Sequence, residues 1–240
     1  MEVLNGKNYI NQIAIDCVVF GYEDGQLKIL ISQLKYKGDF YALPNGFIFQ
    51  EENTDAAAHR ILQERTGLKD IYLEEFKVFG KADRNNKAFL DKLIELNYAD
   101  TAFEQTHNPM YEWLSKRFIS IGYYALVNIK AVEPQLTEID KSLEWYNIHE
   151  LPPMIMDGNE IAQAALKTLQ RDIDEKLNVF NLLPEKFTMK EVQDIYESVF
   201  ERAFVRTNFQ KKILDLNVLE RLEKKFTGAK NKAPYLYKLK

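Results

Sequence analysis

Arg206, Thr207, Asn208, Gln210, Lys211 and Lys212 place six hydrogen-bonding side chains within seven positions. Arginine and lysine donate to phosphate oxygens and guanine edges, and asparagine and glutamine match the acceptor and donor that adenine presents, so this stretch carries groups suited to reading a duplex. Val205, Phe209 and Ile213 recur among them at four-residue steps, which predicts a helix whose apolar stripe points inward and whose opposite face presents the donors. The surrounding charge agrees. From Arg202 to Lys240 eleven Lys or Arg face three acids, Asp215, Glu220 and Glu223, a net of +8 in a chain of −4, which leaves −12 on residues 1–201. A cationic block at the end of an acidic body marks that end for a polyanion, where a scattered lysine run would mark only a solvated face.

Those donors need a platform. Phe187-Thr188-Met189-Lys190-Glu191-Val192 fits a capping box, with Thr188 bonding forward and Glu191 reaching back, so a helix starts here with Val192, Ile195, Tyr196, Val199 and Phe200 as its apolar face. Glu201-Arg202-Ala203-Phe204 is a short connection to the helix that carries Arg206. Val218 to Phe226 and Tyr235 to Leu239 read as two strands, and the segment between them brings Lys230 and Lys232 to a hairpin tip. Helix, turn, basic helix and basic hairpin describe a winged helix-turn-helix, whose second helix enters the major groove while flanking elements hold phosphates. Thr188, Arg206, Thr207, Asn208, Gln210, Lys211, Lys212, Lys230 and Lys232 are the expected contacts to double-stranded DNA. A small α+β cap with a basic rim is the alternative.

Upstream, Asn11 to Val19 and Leu27 to Leu34 are rich in Ile and Val, and Gly21-Tyr22-Glu23-Asp24-Gly25 between them predicts the turn of a hairpin. Thr54 to Arg65 predicts a helix that Gly67 stops. Strands are expected at Glu74 to Phe79, Phe118 to Ile129 and Leu143 to Ile148, with a largely helical insertion at Lys87 to Lys116 striped by Phe89, Leu93, Ile94 and Leu96. Asp157 to Lys176 carries Ile161, Ala165, Leu169 and Ile173 at four-residue steps, one long amphipathic helix that joins two domains. The expected organisation is α+β: a first domain over residues 1–157, a linking helix over 158–180, and the winged helix-turn-helix over 181–240.

The spacing of Gly46, Glu52, Arg60, Glu64, Gly67 and Leu68, with Leu62 at the internal aliphatic position, resembles a Nudix box, G-x5-E-x7-R-E-U-x-E-E-x-G-U, where U is aliphatic. The resemblance implies a Nudix-like first domain. In hydrolases of that family the positions equivalent to 61, 64 and 65 are carboxylates on one helix face, and they hold the Mg²⁺ that clamps a diphosphate and readies water for attack. Here they are Ile61, Glu64 and Arg65. One carboxylate remains, Arg65 beside it is expected to neutralise it, and Glu52 alone does not replace the missing pair. The expectation is a degenerate domain with no catalytic residue, no metal, no cofactor, and weak or absent pyrophosphatase activity.

A degenerate Nudix domain followed by a winged helix-turn-helix is similar to the Nudix-related transcriptional regulators, the NrtR-like family. The similarity covers nearly the whole chain and also rests on Phe79-Gly80-Lys81-Ala82-Asp83-Arg84, Arg117-Phe118-Ile119-Ser120, Leu151-Pro152-Pro153 and the segment from Thr188 to Lys212. The chain departs from the family in the length of the Lys87 to Lys116 insertion and in Asp157-Gly158, where Asp-His is frequent; either bears on the effector pocket or the dimer contact. The resemblance implies a repressor or activator that responds to ADP-ribose or to a sugar such as L-arabinose. A lost metal cradle and an acidic body favour the sugar, because a diphosphate calls for Mg²⁺ or several cations; ADP-ribose is the alternative. Asn45, Asp83, Arg84, Arg117, Tyr124 and Glu144 are the expected effector contacts, the other readings being a structural ion pair of Asp83 with Arg84 or Arg117 and a core role for Tyr124. A symmetric homodimer is expected, since two linked units match palindromic half-sites, with the effector releasing or repositioning it on DNA. The rivals are an active Mg-dependent pyrophosphohydrolase using Glu52 and Glu64, and a sugar-sensing adaptor that never touches DNA.

Composition bounds the rest. A chain of 240 residues, 46% apolar and 28% charged, is an ordinary globular one of one or two domains, which excludes a largely disordered or collagen-like protein. No uncharged apolar stretch approaches the ~20 residues a membrane helix needs, and Met1 to Lys7 does not begin a signal peptide, so the expected address is the cytoplasm with no membrane partner. Cys17 cannot form an internal disulfide, and His59, His107 and His149 lack zinc-ligand spacing.

Overall fold

A strand apolar on both sides must sit between two layers, and the first strand is built that way. In the computed structural model, which describes residues 8–69, 71–98, 108–225 and 233–240, β1 (Tyr9–Glu23) packs Ile15, Cys17 and Val19 into one apolar cluster and Val18 and Phe20 into the other. It continues into β2 (Gln26–Leu34) through Asp24 at φ 52° and Gly25 at φ 79°, the two positive values of a type I′ turn. The predicted hairpin forms.

β3 (Tyr41–Ala42), β4 (Asn45–Phe49), α1 (Thr54–Thr66), β5 (Tyr72–Phe79), α2 (Lys87–Tyr98), α3 (Pro109–Leu114), β6 (Ile119–Leu126) and β7 (Asp140–Asn147) follow. The seven strands run in the order β3-β2-β1-β6-β5, with β4 paired to β1 and β7 to β2. Among the described strands of this sheet, β1 and β6 pair in parallel and the other pairs are antiparallel. β3 and β4 have no period of their own in the sequence, and pairing with β2 and β1 makes them strands. The Asn53 side chain accepts the Ala56 amide at the head of α1, and Gly67, at φ 72°, ends the helix as predicted. Of the predicted helical insertion, α2 and α3 are described, and residues 99–107 lie outside the described residues.

α4 (Gly158–Lys176) buries Ile161, Ala165, Leu169 and Ile173, as its four-residue steps require. It packs on β1, β5 and β6 and on α5 (Met189–Phe200). β8 (Phe187–Thr188), α6 (Arg206–Asp215), β9 (Leu219–Lys224) and β10 (Tyr235–Leu239) complete the C-terminal body, whose small sheet has the order β8-β10-β9. One apolar core runs from Val18 and Tyr124 through Leu169 to Val192, Phe209 and Tyr237, and a second lies beneath α1. One expectation fails here. Val205 does not point inward with Phe209 and Ile213; it caps α6 from outside, with extended backbone at φ −66°, ψ 116°, and is 67% exposed. None of the described helices is long and apolar enough to cross a membrane.

Arg65 also departs from expectation. It turns away from Glu64 into the interior, where both terminal nitrogens bind the Asp140 carboxylate of β7, the second at 3.1 Å. Ser32 of β2 and the amide and hydroxyl of Thr137 donate to the same carboxylate, so the pair ties α1 across the sheet edge. Burial raises the Asp140 pKa, but bonds from Arg65, Ser32 and Thr137 outweigh it and hold the carboxyl below its ordinary 3.8. A depressed folded-state pKa contributes stability that is present above the ordinary value and lost as pH falls through the folded one. Asp140→Ala strands a buried guanidinium, so urea unfolding at neutral pH should show a loss of about 3–5 kcal/mol. The variant should also lose part of the acid destabilisation seen below about pH 4. An unchanged urea midpoint, or superimposable acid limbs, would contradict the clamp.

Candidate nucleic-acid interface and effector cleft

The capping box forms as its spacing requires: the Thr188 hydroxyl accepts the Glu191 amide at 3.3 Å, and the Glu191 carboxylate accepts the Thr188 amide at 2.6 Å. Thr188 is thereby buried at the root of α5. The turn to α6 is fixed by two side chains that sequence reading passes over. Gln193 donates to the Phe204 carbonyl at 2.9 Å, and Glu197 accepts the Phe204 amide at 2.9 Å, which with Gln193 holds the Glu197 carboxyl below its usual range. Phe209 packs edge-on to Tyr196 at 5.0 Å, so α6 is anchored by its inward stripe. The other face carries Arg206, Thr207, Asn208 and Lys211, all exposed, and half-buried Gln210.

The cations of this body divide into two groups. Lys190 pairs with Asp194, Lys225 with Glu191, Lys238 with Glu220 and Lys212 with Asp174 of α4 at 2.6 Å. Arg206 and Lys211 make no ion pair among the described residues and remain available to an external anion. Lys230 and Lys232, the expected hairpin-tip contacts, lie outside the described residues.

At the box, Arg60 takes the role expected of Arg65. Its guanidinium binds both Glu52 oxygens at 2.6 and 3.1 Å, the Phe47 carbonyl at 2.9 Å and Glu64 at 3.4 Å, and lies 4.3 Å from the Phe49 ring centre. Burial opposes ionisation of Glu52, yet the bonds from Arg60 and the Phe49 amide keep its carboxyl below the ordinary range. The Mg²⁺ of a Nudix hydrolase does not fit these residues. Ile61 is packed against Gly46, where a Cβ would come within 2.8 Å of it; Arg65 is bound to Asp140; and one guanidinium neutralises both remaining carboxylates. Among the described residues no cluster of three His, Cys, Asp or Glu could hold a metal ion.

The six expected effector residues are not gathered in one place. Arg84 is buried, donating to both oxygens of Asp157 at 3.1 and 2.9 Å, to Asp16 at 3.1 Å and to the Phe118 carbonyl at 3.4 Å. Its partners are therefore Asp16 and Asp157, and Asp83 is exposed with no ion pair among the described residues. Burial raises the Asp16 pKa against the bonds from Ser120 and Arg84, and Asp157 adds repulsion. A carboxylate within the apolar run from Ile13 to Phe20 was the sequence signal for this site. Asn45 stands opposite Asp16 in the β1–β4 register and donates to the Leu43 carbonyl at 3.0 Å. Arg117 is exposed and donates to the Gly80 and Lys81 carbonyls at 2.6 and 3.1 Å. Glu144 is exposed on β7, opposite Ile31 of β2.

Tyr124 is fully buried at the joint between the two bodies. It donates to Glu74 at 3.1 Å and accepts from Asn178 at 2.9 Å, while Tyr72 and Lys176 also bind Glu74. α4 thus meets the Arg84 pair through Asp157 at its head and the Glu74 network through Lys176 at its tail.

Residues 179–239 match the family described as the NrtR DNA-binding winged helix domain. The ADPR responsive transcriptional repressor NtrR of Acinetobacter baylyi is 25% identical over 92% of this chain and 79% of its own. Among solved structures, Shewanella oneidensis NrtR complexed with a 27mer DNA is similar at a TM-score of 0.72 and 21% identity, over 96% of this chain and 94% of that one. A MutT/nudix family protein from Enterococcus faecalis is similar at 0.69 and 18%, over 96% and 87%. The chain therefore folds as a Nudix-like domain joined to a C-terminal winged helix domain, an α+β architecture.

Proposed function

We propose that this protein is a ligand-responsive regulator of transcription, acting in the cytoplasm as a symmetric dimer on operator DNA, with ADP-ribose as its effector. The observation that carries the DNA reading is the exposed face of α6, where Arg206 and Lys211 form no ion pair among the described residues and Thr207 and Asn208 stand between them over a buried Phe209 and Ile213 anchor. The match of residues 179–239 supports it.

ADP-ribose replaces the expected sugar, because the similar Acinetobacter baylyi repressor is named for its response to ADPR. Loss of a metal cradle does not by itself call for a neutral ligand. Hydrolysis needs Mg²⁺ to activate water, whereas holding a diphosphate needs only guanidinium and amide donors. The altered box supports this reading: Ile61 stands where a ligand carboxylate would, Arg60 is bound to Glu52 and Arg65 to Asp140, so the groups that would hold the metal are missing or neutralised. α4 then links the cleft to the reader, and an effector shifts the reader only if it binds two arrangements of that link unequally.

A duplex selected by the purified chain from a random-sequence pool provides the test. Arg206→Ala and Lys211→Ala should each weaken binding and lower the salt slope by about one. ADP-ribose should change duplex affinity by about 5- to 150-fold, and L-arabinose should leave it unchanged. No retained duplex at low salt would overturn the reading. Incubated with Mg²⁺, ADP-ribose should be recovered intact; turnover abolished by Glu64→Gln would instead make the chain a hydrolase.

A further inference from the structure

We infer that Val205 is a specificity-determining residue that reads the 5-methyl group of a thymine in the major groove, an inference that rests on the DNA-binding reading above. Two features make this side chain unusual. At 67% it is the most exposed large apolar residue among the described residues. It also occupies the N-cap of α6, where Ser, Thr, Asn or Asp would supply an acceptor for the first free amides; valine supplies none, and α6 has no side-chain cap. An isolated surface valine needs no explanation. An apolar residue that stands outside the core and displaces a cap, at the leading end of the reader helix, does.

Its position follows from the backbone. The Val205 carbonyl accepts the Phe209 amide at 2.9 Å, so the residue is held at the first turn, yet its extended ψ of 116° takes the side chain off the inward stripe. Exposed Arg206, Thr207 and Asn208 follow it directly. In helix-turn-helix docking the N-terminal residues of the second helix contact base edges. Every feature of a major-groove edge is a donor or an acceptor except the thymine methyl, the one apolar group a valine can recognise there. An exposed apolar tip followed directly by three exposed polar side chains matches a thymine flanked by hydrogen-bonding edges.

Deoxyuridine keeps every thymine hydrogen bond and removes only the methyl. In the full chain, single deoxyuridine replacements through the selected duplex should weaken binding about three- to tenfold at one position, or at two symmetric ones, and leave the others unchanged. Val205→Ser restores a cap, so its melting temperature should equal or exceed that of the parent while the sensitive position becomes indifferent to deoxyuridine. Val205→Ala should lose the same discrimination. A deoxyuridine profile identical in the parent and both variants, or no sensitive thymine, would overturn the assignment with DNA binding intact. Failure to select any duplex would overturn the DNA reading itself.

Discussion

Helix α4 needs both of its neighbours to cover its apolar stripe. Ile161, Ala165, Leu169 and Ile173 disappear into a core shared by the Nudix-like sheet on one side and α5 on the other, so neither body is closed without it. At about 25 cal/mol per Å² of apolar surface, a stripe of this size outweighs any single polar contact along its length. The polar contacts do a different job. Asp157 at one end holds Arg84, Lys176 at the other holds Glu74, and Asp174 holds Lys212 of α6. Packing makes the helix a rigid member, and these ends decide what it is tied to. A ligand that alters the Asp16–Arg84–Asp157 group acts on the same helix that supports the reader.

Three positions of the box are engaged in packing or internal ion pairs. Ile61 fills the space against Gly46, Arg60 gathers Glu52 and Glu64, and Arg65 joins Asp140 in the interior. A carboxylate at position 65 would face Asp140 with like charge, so Arg65 and Asp140 are a matched pair that ties α1 to β7.

Local signals were legible in the sequence and distant ones were not. The Thr188 capping box, the Gly67 stop and the α4 stripe depend on neighbours within about four residues, and all three form. The nearest acid to Arg65 in sequence is Glu64, while its partner in space is Asp140, 75 residues away, so spacing points to the wrong pair. Arg84 and Tyr124 stand out by residue type, but their partners Asp16, Asp157, Glu74 and Asn178 come from four separate segments that no spacing rule connects. Val205 lies in phase with Phe209 and Ile213, and only the extended backbone at the cap breaks that phase.

On the proposed function, ADP-ribose binding to the Nudix-like domain and duplex binding through α6 are energetically linked. Linkage is reciprocal, so the sharpest measurement is calorimetric titration of ADP-ribose into the free protein and into the protein saturated with its duplex. Two different affinities are expected, with the nucleotide recovered intact from both titrations. Equal affinities would contradict it.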